Sequence, residues 1–226
     1  MPTSQTEPLG GTGGGVTRTR NRWGEGQKLR QEILEAAKRL LDEARSPDEI
    51  SLRAIAREAG ITAPSVYKHF KDKSELMWAV LDGIYIELAE TMRAAAQTAP
   101  GGDSWAALRA TVDGYGHFAV QQRPRYQLMF HIGPMLSDPP ATEQYPYNHV
   151  ANAWREVLEP YLADMSASRA PFPQVASLEV DDVAALLWTG LHGQFGLWWS
   201  VSHEFPRQHS YDKLRDTLLL TLFGRC

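Results

Sequence analysis

The chain has 226 residues, 43% of them hydrophobic, and a formal net charge of −4. That length suits one large domain, or a small domain joined to a larger one, and no apolar run approaches the roughly 20 residues of a membrane helix, so no membrane partner is expected. The one cysteine, Cys226, excludes an internal disulfide framework and a thiolate metal cluster, and neither a metal nor another cofactor is expected.

Residues 1–75 carry 13 Lys/Arg against 11 Asp/Glu, whereas residues 76–226 carry 10 against 16. Acidic surfaces repel DNA, so any nucleic-acid contact belongs to the N-terminal part. Residues 1–17 are Gly- and Thr-rich, lack Lys and Arg, and show no helix or strand pattern. With Arg18, Arg20 and Arg22 they form an arm over residues 1–23 that is expected to be disordered. Two readings of its arginines stand open: a solvated linker, or a basic arm that settles onto phosphates or into a minor groove. The arm has no apolar signal-peptide core, so a cytoplasmic location is expected.

Helix 1 is predicted from Gly24 to about Ala44, where Leu29, Ile33, Ala36, Ala37, Leu40 and Leu41 recur at three- and four-residue steps. Ser51 is a good N-cap for helix 2, which runs to Glu58 or Ala59, and Gly60 breaks it. Thr62 opens helix 3, with Pro64 in the first turn, where a proline forfeits no hydrogen bond; Val66 and Phe70 face inward. Asp72 and Glu75 have the spacing of a capping box at the start of a long helix 4, about Lys73–Gln97. Leu76, Val80, Ile84, Leu88 and Met92 form one row along it, and Met77, Leu81 and Tyr85 a second, so it is expected to pack on more than one side. Pro100–Gly102 stops that pattern. Helix 5 is predicted over Ser104–Gln122, helix 6 near Arg125–Ile132 between Pro124 and Gly133, helix 7 over Tyr147–Ala163, helix 8 from Asp181 or Asp182 to about Ser202, and helix 9 over Ser210–Phe223. No segment sustains two-residue alternation. The expected fold class is all-α with about nine helices, divided into the arm, a helix-turn-helix unit over residues 24–72 and a larger helical domain over residues 73–226.

Helices 2 and 3 with their tight turn form a unit that can lay one helix in the DNA major groove. Thr62 offers a hydroxyl beside free backbone amides, suited to phosphate. Ala63, Pro64 and Ser65 occupy the first turn, the part that meets base edges: Ala63 and Pro64 can touch a thymine methyl, and Ser65 can donate or accept. Lys68 is long enough to reach a base or a phosphate.

Residues 51–73 resemble the DNA-binding domain of the tetracycline-repressor (TetR) family of bacterial regulators. The match lies in Ser51-Leu52, Ile55-Ala56, Ala59-Gly60-Ile61, Val66-Tyr67, His69-Phe70 and Lys73 followed by Leu76, and it extends with helix 1 over roughly residues 25–95. The resemblance places Ser51 within the DNA-contacting set, puts Tyr67, His69 and Lys73 on the DNA backbone, and makes Arg53 a base reader. The alternative for Tyr67 is an aromatic holding helix 3 on helix 1, and for His69 it is packing against helix 4.

It also implies that the remaining helices bind a small ligand and that the last two form a homodimer. Helix 8 carries Trp188, His192, Phe195, Trp198 and Trp199, with Gly190, Gly193 and Gly196 between them, and its Trp-x3-His-Gly run resembles one subgroup of the family. Trp188, His192 and Phe195 are candidate pocket residues, because 188 and 192 share a helix face. Trp78, Leu81, Tyr85, Tyr115, Phe118, Met129, Phe130, Val150 and Trp154 are candidate walls, and His117 with His192 the candidate polar groups; ordinary core is the alternative for each. Ala184, Leu187, Leu191, Leu214, Leu218, Leu219 and Phe223 are the expected dimer face.

The expected function is a DNA-binding transcriptional repressor released from a double-stranded operator by a small apolar or aromatic effector. A regulator without a ligand is the first alternative. An α-helical enzyme is the second, and the chain carries no Gly-rich phosphate loop, His-Glu-x-x-His, Cys-x-x-Cys or nucleophile elbow to support it.

Overall fold

The computed structural model describes residues 25–44, 49–131, 145–167, 175, 178–201 and 208–225; the expected N-terminal arm lies outside them. Among the described residues there are nine helices and no strand: α1 (Glu25–Glu43), α2 (Leu52–Glu58), α3 (Ala63–Val66), α4 (Lys73–Ala96), α5 (Ser104–Gln121), α6 (Arg123–His131), α7 (Asn148–Ala167), α8 (Val180–Val201) and α9 (Gln208–Phe223). The caps expected at Ser51 and Asp72 form, whereas Thr62 stands at the N-cap of α3 without a side-chain cap bond, and Asp103 adds a cap to α5. Ser51 Oγ accepts from Ala54 N at 3.1 Å, Asp72 Oδ1 from Glu75 N at 2.9 Å, and Asp103 Oδ1 from Ala106 N at 2.9 Å. Glu75 reaches back one residue farther than a capping box does: its Oε2 accepts from Lys71 N at 2.6 Å.

Two helices differ from expectation. α3 closes after four residues and continues as turns through Tyr67–His69. The Phe70 N–H still donates to Val66 O at 3.0 Å, which keeps Phe70 facing the core. α6 begins at Arg123, so Pro124 sits inside its first turn instead of fencing it, a place where no backbone donor is lost.

α4 is the centre of the molecule. It packs along α5 and α7 and also touches α1 and α6. Both of its predicted rows are buried, from Leu76 to Met92 and from Met77 to Tyr85. α1 buries Ile33, Leu34, Ala36, Ala37 and Leu41 against α2 and α4. α9 is anchored to α5 through a contact that requires glycine. Tyr211 lies over Gly116 and donates to Val112 O at 2.7 Å, and a Cβ at Gly116 would stand 2.0 Å from its ring. Gly116→Ala is therefore expected to push Tyr211 out, break that bond and cost about 2 kcal/mol, read as a lower urea midpoint with an unchanged slope. A wild-type midpoint would show that Tyr211 swings aside without cost.

Candidate functional site

The first cluster of candidate residues is the helix-turn-helix. Gly60 adopts φ +67°, which turns the chain sharply after α2 and lets Ile61 N donate to Ala56 O at 2.9 Å. The turn sets α3 across α2, with Ile55, Ala56, Val66 and Phe70 beneath. Arg39 Nε holds Glu58 at 2.8 Å, tying α1 to α2. Above this core Ser51, Arg53, Thr62, Pro64, Tyr67 and Lys68 are exposed, Tyr67 by 57%. An exposed tyrosine of that extent is not holding α3 on α1. Ser65 is half-buried and its hydroxyl meets Thr62 Oγ1 at 2.9 Å, so the two hydroxyls are engaged with each other. Ala63 packs toward the core, which leaves Pro64 the apolar group facing out. His69 and Lys73 are half-buried, and Lys73 is engaged within the chain.

The second cluster is aromatic and lies among α4, α5, α6, α7 and α8. Tyr115 Oη and Tyr126 Oη are 2.6 Å apart, and both reach His192 Nδ1, at 3.0 and 2.8 Å. Phe130 stacks on His192 with centroids 3.7 Å apart and an interplanar angle of 11°. That approach depends on Gly196, where a Cβ would stand 2.7 Å from the Phe130 ring. Trp154 lies 5.8 Å from Tyr115, Trp188 6.4 Å from Tyr85, and Phe195 5.5 Å from Tyr126, ring centre to ring centre. Burial holds His192 near pKa 4, well below the usual imidazole, and pushes the Tyr115 and Tyr126 phenols up and Tyr85 to about 12. Every one of these groups is neutral near pH 7. The indole N–H groups of Trp78, Trp154 and Trp188 are buried with no hydrogen-bond partner among the described residues.

Of the predicted pocket residues, Tyr85, Tyr115, Phe130, Trp154, Trp188, His192 and Phe195 come together here. Trp78, Leu81, Phe118, Met129 and Val150 are buried in the same core. His117 is not part of it: it is exposed, on an open polar groove beside Glu87, Glu90 and Arg125. The sequence reading missed Tyr126, the hub of the cluster, although it stands four residues before Phe130 on one helix face.

A charged seam joins the two clusters. Lys38 of α1, 7% exposed, runs beneath α4 beside Gly83 and pairs with Glu87 and, at 3.5 Å, with Glu35. Arg125 of α6 grips Asp42 of α1 with two bonds of 2.8 and 2.6 Å, and gives a third, of 2.9 Å, to Glu87.

Comparison with known proteins identifies the family. The profile "Bacterial regulatory proteins, tetR family" matches residues 33–80, and "Tetracyclin repressor-like, C-terminal domain" matches residues 108–222, just over half of the chain. The chain belongs to the TetR family. It is a DNA-binding transcriptional regulator with an N-terminal helix-turn-helix and a C-terminal ligand-binding domain. Among solved structures, a TetR-family transcriptional regulator from Pectobacterium atrosepticum is 20% identical with a TM-score of 0.67, covering 91% of this chain and 97% of that one. A TetR-family regulator from Streptomyces coelicolor is 25% identical with a TM-score of 0.57, covering 88% and 81%. The fatty acid degradation regulator FadR from Bacillus halodurans shares the fold at 14% identity and a TM-score of 0.63, covering 88% and 97%. Among the described residues no helix is long and apolar enough to cross a membrane, and no group of three or more His, Cys, Asp or Glu could hold a metal ion.

TetR regulators dimerise, and here the expected dimer residues need correction. Ala184, Leu187, Leu191, Leu219 and Phe223 are buried inside the subunit, and Leu218 fills the space over Gly190. Among the described residues, the large apolar side chains that α8 and α9 leave exposed are Leu186, Leu197 and Leu220, with Leu197 at 63%.

Proposed function

We propose that this regulator is a repressor whose grip on its operator is released when a small, largely apolar or aromatic molecule enters the aromatic cluster. The observation that carries the proposal is the seam: one helix, α6, holds Arg125 against Asp42 of α1 while the next residue, Tyr126, bonds to His192 in the cluster. The DNA-binding unit (24–72) and the sensor (73–226) are joined both by the packing of α4 on α1 and by this clamp. A ligand that prefers a shifted α6 changes the seat of α1 and, in a dimer, the separation of the two α3 segments. The dimer forms through α8 and α9, with Leu186, Leu197 and Leu220 in the interface. The unpartnered indole donors favour this reading over a regulator that senses nothing.

On DNA, Thr62, Tyr67 and His69 hold phosphates, Pro64, Ser65 and Arg53 face base edges, and Lys68 supplies the most accessible charge of α3 and its following turn. Ser51 has its hydroxyl committed to the cap. Lys68→Ala is expected to lower the slope of log affinity against log salt by about 0.9 on every sequence, whereas Arg53→Ala shifts base preference. An unchanged slope removes Lys68 from the phosphate contacts. The whole reading is tested by selecting fragments from random DNA with the purified protein. A two-fold symmetric site is the expected product, and no enriched sequence would sink it.

A further inference from the structure

We propose that Arg30 of α1 is a phosphate contact of the DNA-binding unit, held ready for the DNA backbone by the ring of Phe70. The proposal rests on the reading that the exposed groups of α3 and its turn face DNA, and it adds to them a residue of another helix. The Arg30 guanidinium carbon stands 4.7 Å from the centre of the Phe70 ring, within the range of a cation–π contact. Stacking suits arginine, because the planar guanidinium keeps its N–H groups at the rim, where they can still fork onto a phosphate.

The place of Arg30 on α1 is the first observation. Ile33, Leu34, Ala37 and Leu41 continue from it at three- and four-residue steps, and all are buried. Arg30 thus opens the inward stripe of the helix, where an apolar residue would be the ordinary choice. Yet Arg30 is exposed, so it marks the place where the core ends and solvent begins. Phe70, by contrast, is 1% exposed, and its N–H is bonded to Val66 O. A ring fixed in that way gives a flexible side chain one seat, and less entropy is left to lose when an anion binds.

The second observation is the charge around it. Phe70 closes the turn that carries exposed Tyr67 and Lys68, and exposed Lys71 follows. The carboxylates nearest to Phe70 in sequence, Asp72 and Glu75, accept from the backbone N–H groups of Glu75 and Lys71. Arg30 makes no ion pair among the described residues. Its neighbours on α1 are held differently: Arg39 is bonded to Glu58, and Lys38 to Glu87. A cation stacked on a ring, close in the fold to other cations and without a carboxylate, is set to receive an anion from outside the chain. The major groove is about 12 Å wide, so with α3 in the groove a group beside its following turn lies within reach of the phosphates along the edge. Such a contact fixes the register of α3 and is blind to base sequence.

The test titrates the purified full-length protein with a fluorescent DNA duplex of arbitrary sequence at several salt concentrations between about 50 and 200 mM. Arg30→Met keeps an apolar stem over Phe70 and removes the charge. It is expected to weaken binding about five- to tenfold and to lower the slope of log affinity against log salt by about 0.9 per protomer, with an unchanged melting temperature. Arg30→Lys returns the charge and is expected to return the slope. Phe70→Leu keeps a buried apolar side chain and removes the seat; in that background the loss caused by Arg30→Met is expected to shrink to about two- to threefold. The Arg30 variants carry the test alone should Phe70→Leu fold poorly. An unchanged slope in Arg30→Met overturns the proposal and leaves Arg30 as a cover on Phe70, and equal losses in both backgrounds overturn the part given to Phe70. Lys68→Ala, measured beside them, separates the two readings. A lower slope there with none in Arg30→Met defeats this proposal alone, whereas no change in either defeats the assignment of the DNA-facing surface as well.

Discussion

Glu87→Ala is expected to lower the stability of the protein by about 3–5 kcal/mol, far more than a half-exposed carboxylate would suggest. One oxygen of Glu87 accepts from Lys38 and the other from Arg125. Lys38 is nearly enclosed by α4, so truncating its main partner strands an ammonium group where water cannot replace the lost oxygen; Glu35 remains only at 3.5 Å. Urea unfolding measures the loss. The double variant Lys38→Met, Glu87→Leu is the informative control. It removes both charges and keeps apolar volume, and it should regain most of what the single change costs, because buried ion pairs are often replaceable by packed side chains. A single-variant loss below about 1 kcal/mol would show that Lys38 reaches water after all.

Acid is expected to weaken the protein through His192 by about 2 kcal/mol between pH 6.5 and pH 4. The folded state holds this imidazole at a pKa of about 4 by burial, while in the unfolded chain it returns to 6.5. As the pH falls below 6.5 the unfolded state takes up the proton first, so stability declines until the folded group also titrates near 4; above 6.5 the contribution is complete. Urea midpoints for the wild type and His192→Gln at pH 7, 6, 5 and 4.5 provide the test. The gap between the two proteins should narrow steadily toward acid. Parallel curves would mean that the ring is protonated without cost, and the Tyr115–Tyr126–His192 triad would lose its neutral histidine.

The helices were legible in the sequence because each element carries its own punctuation. Ser51 and Asp72 cap where capping residues are expected, and the rows on α4 are buried as the spacing requires. The helix-turn-helix was legible for the same reason: Gly60 and the apolar positions around it are local. What failed depends on neighbours remote in sequence. The last helices read as having a surplus apolar face because nothing in their spacing says that Leu187, Leu191 and Phe223 are consumed by the subunit's own core. His117 read as a pocket residue because it lies between Tyr115 and Phe118, yet helical rotation turns it outward. Tyr126 was missed because its role comes from His192, 66 residues away. The glycines divide likewise: Gly190, Gly193 and Gly196 recur at one spacing on the helix, but the packing sets Leu218 against Gly190 and Phe130 against Gly196 and leaves nothing within 4 Å of a Cβ at Gly193.

The seam of Lys38, Asp42, Glu87 and Arg125 bears on how freely parts of such a regulator can be exchanged. A hybrid that joins this chain's DNA-binding unit to a foreign sensor keeps Lys38 and Asp42 and discards the side chains that neutralise them. The reverse hybrid leaves Glu87 and Arg125 facing a stranger's first helix. Swapping specificities between relatives therefore requires moving these four residues as one inherited set, or redesigning all of them together as an apolar joint.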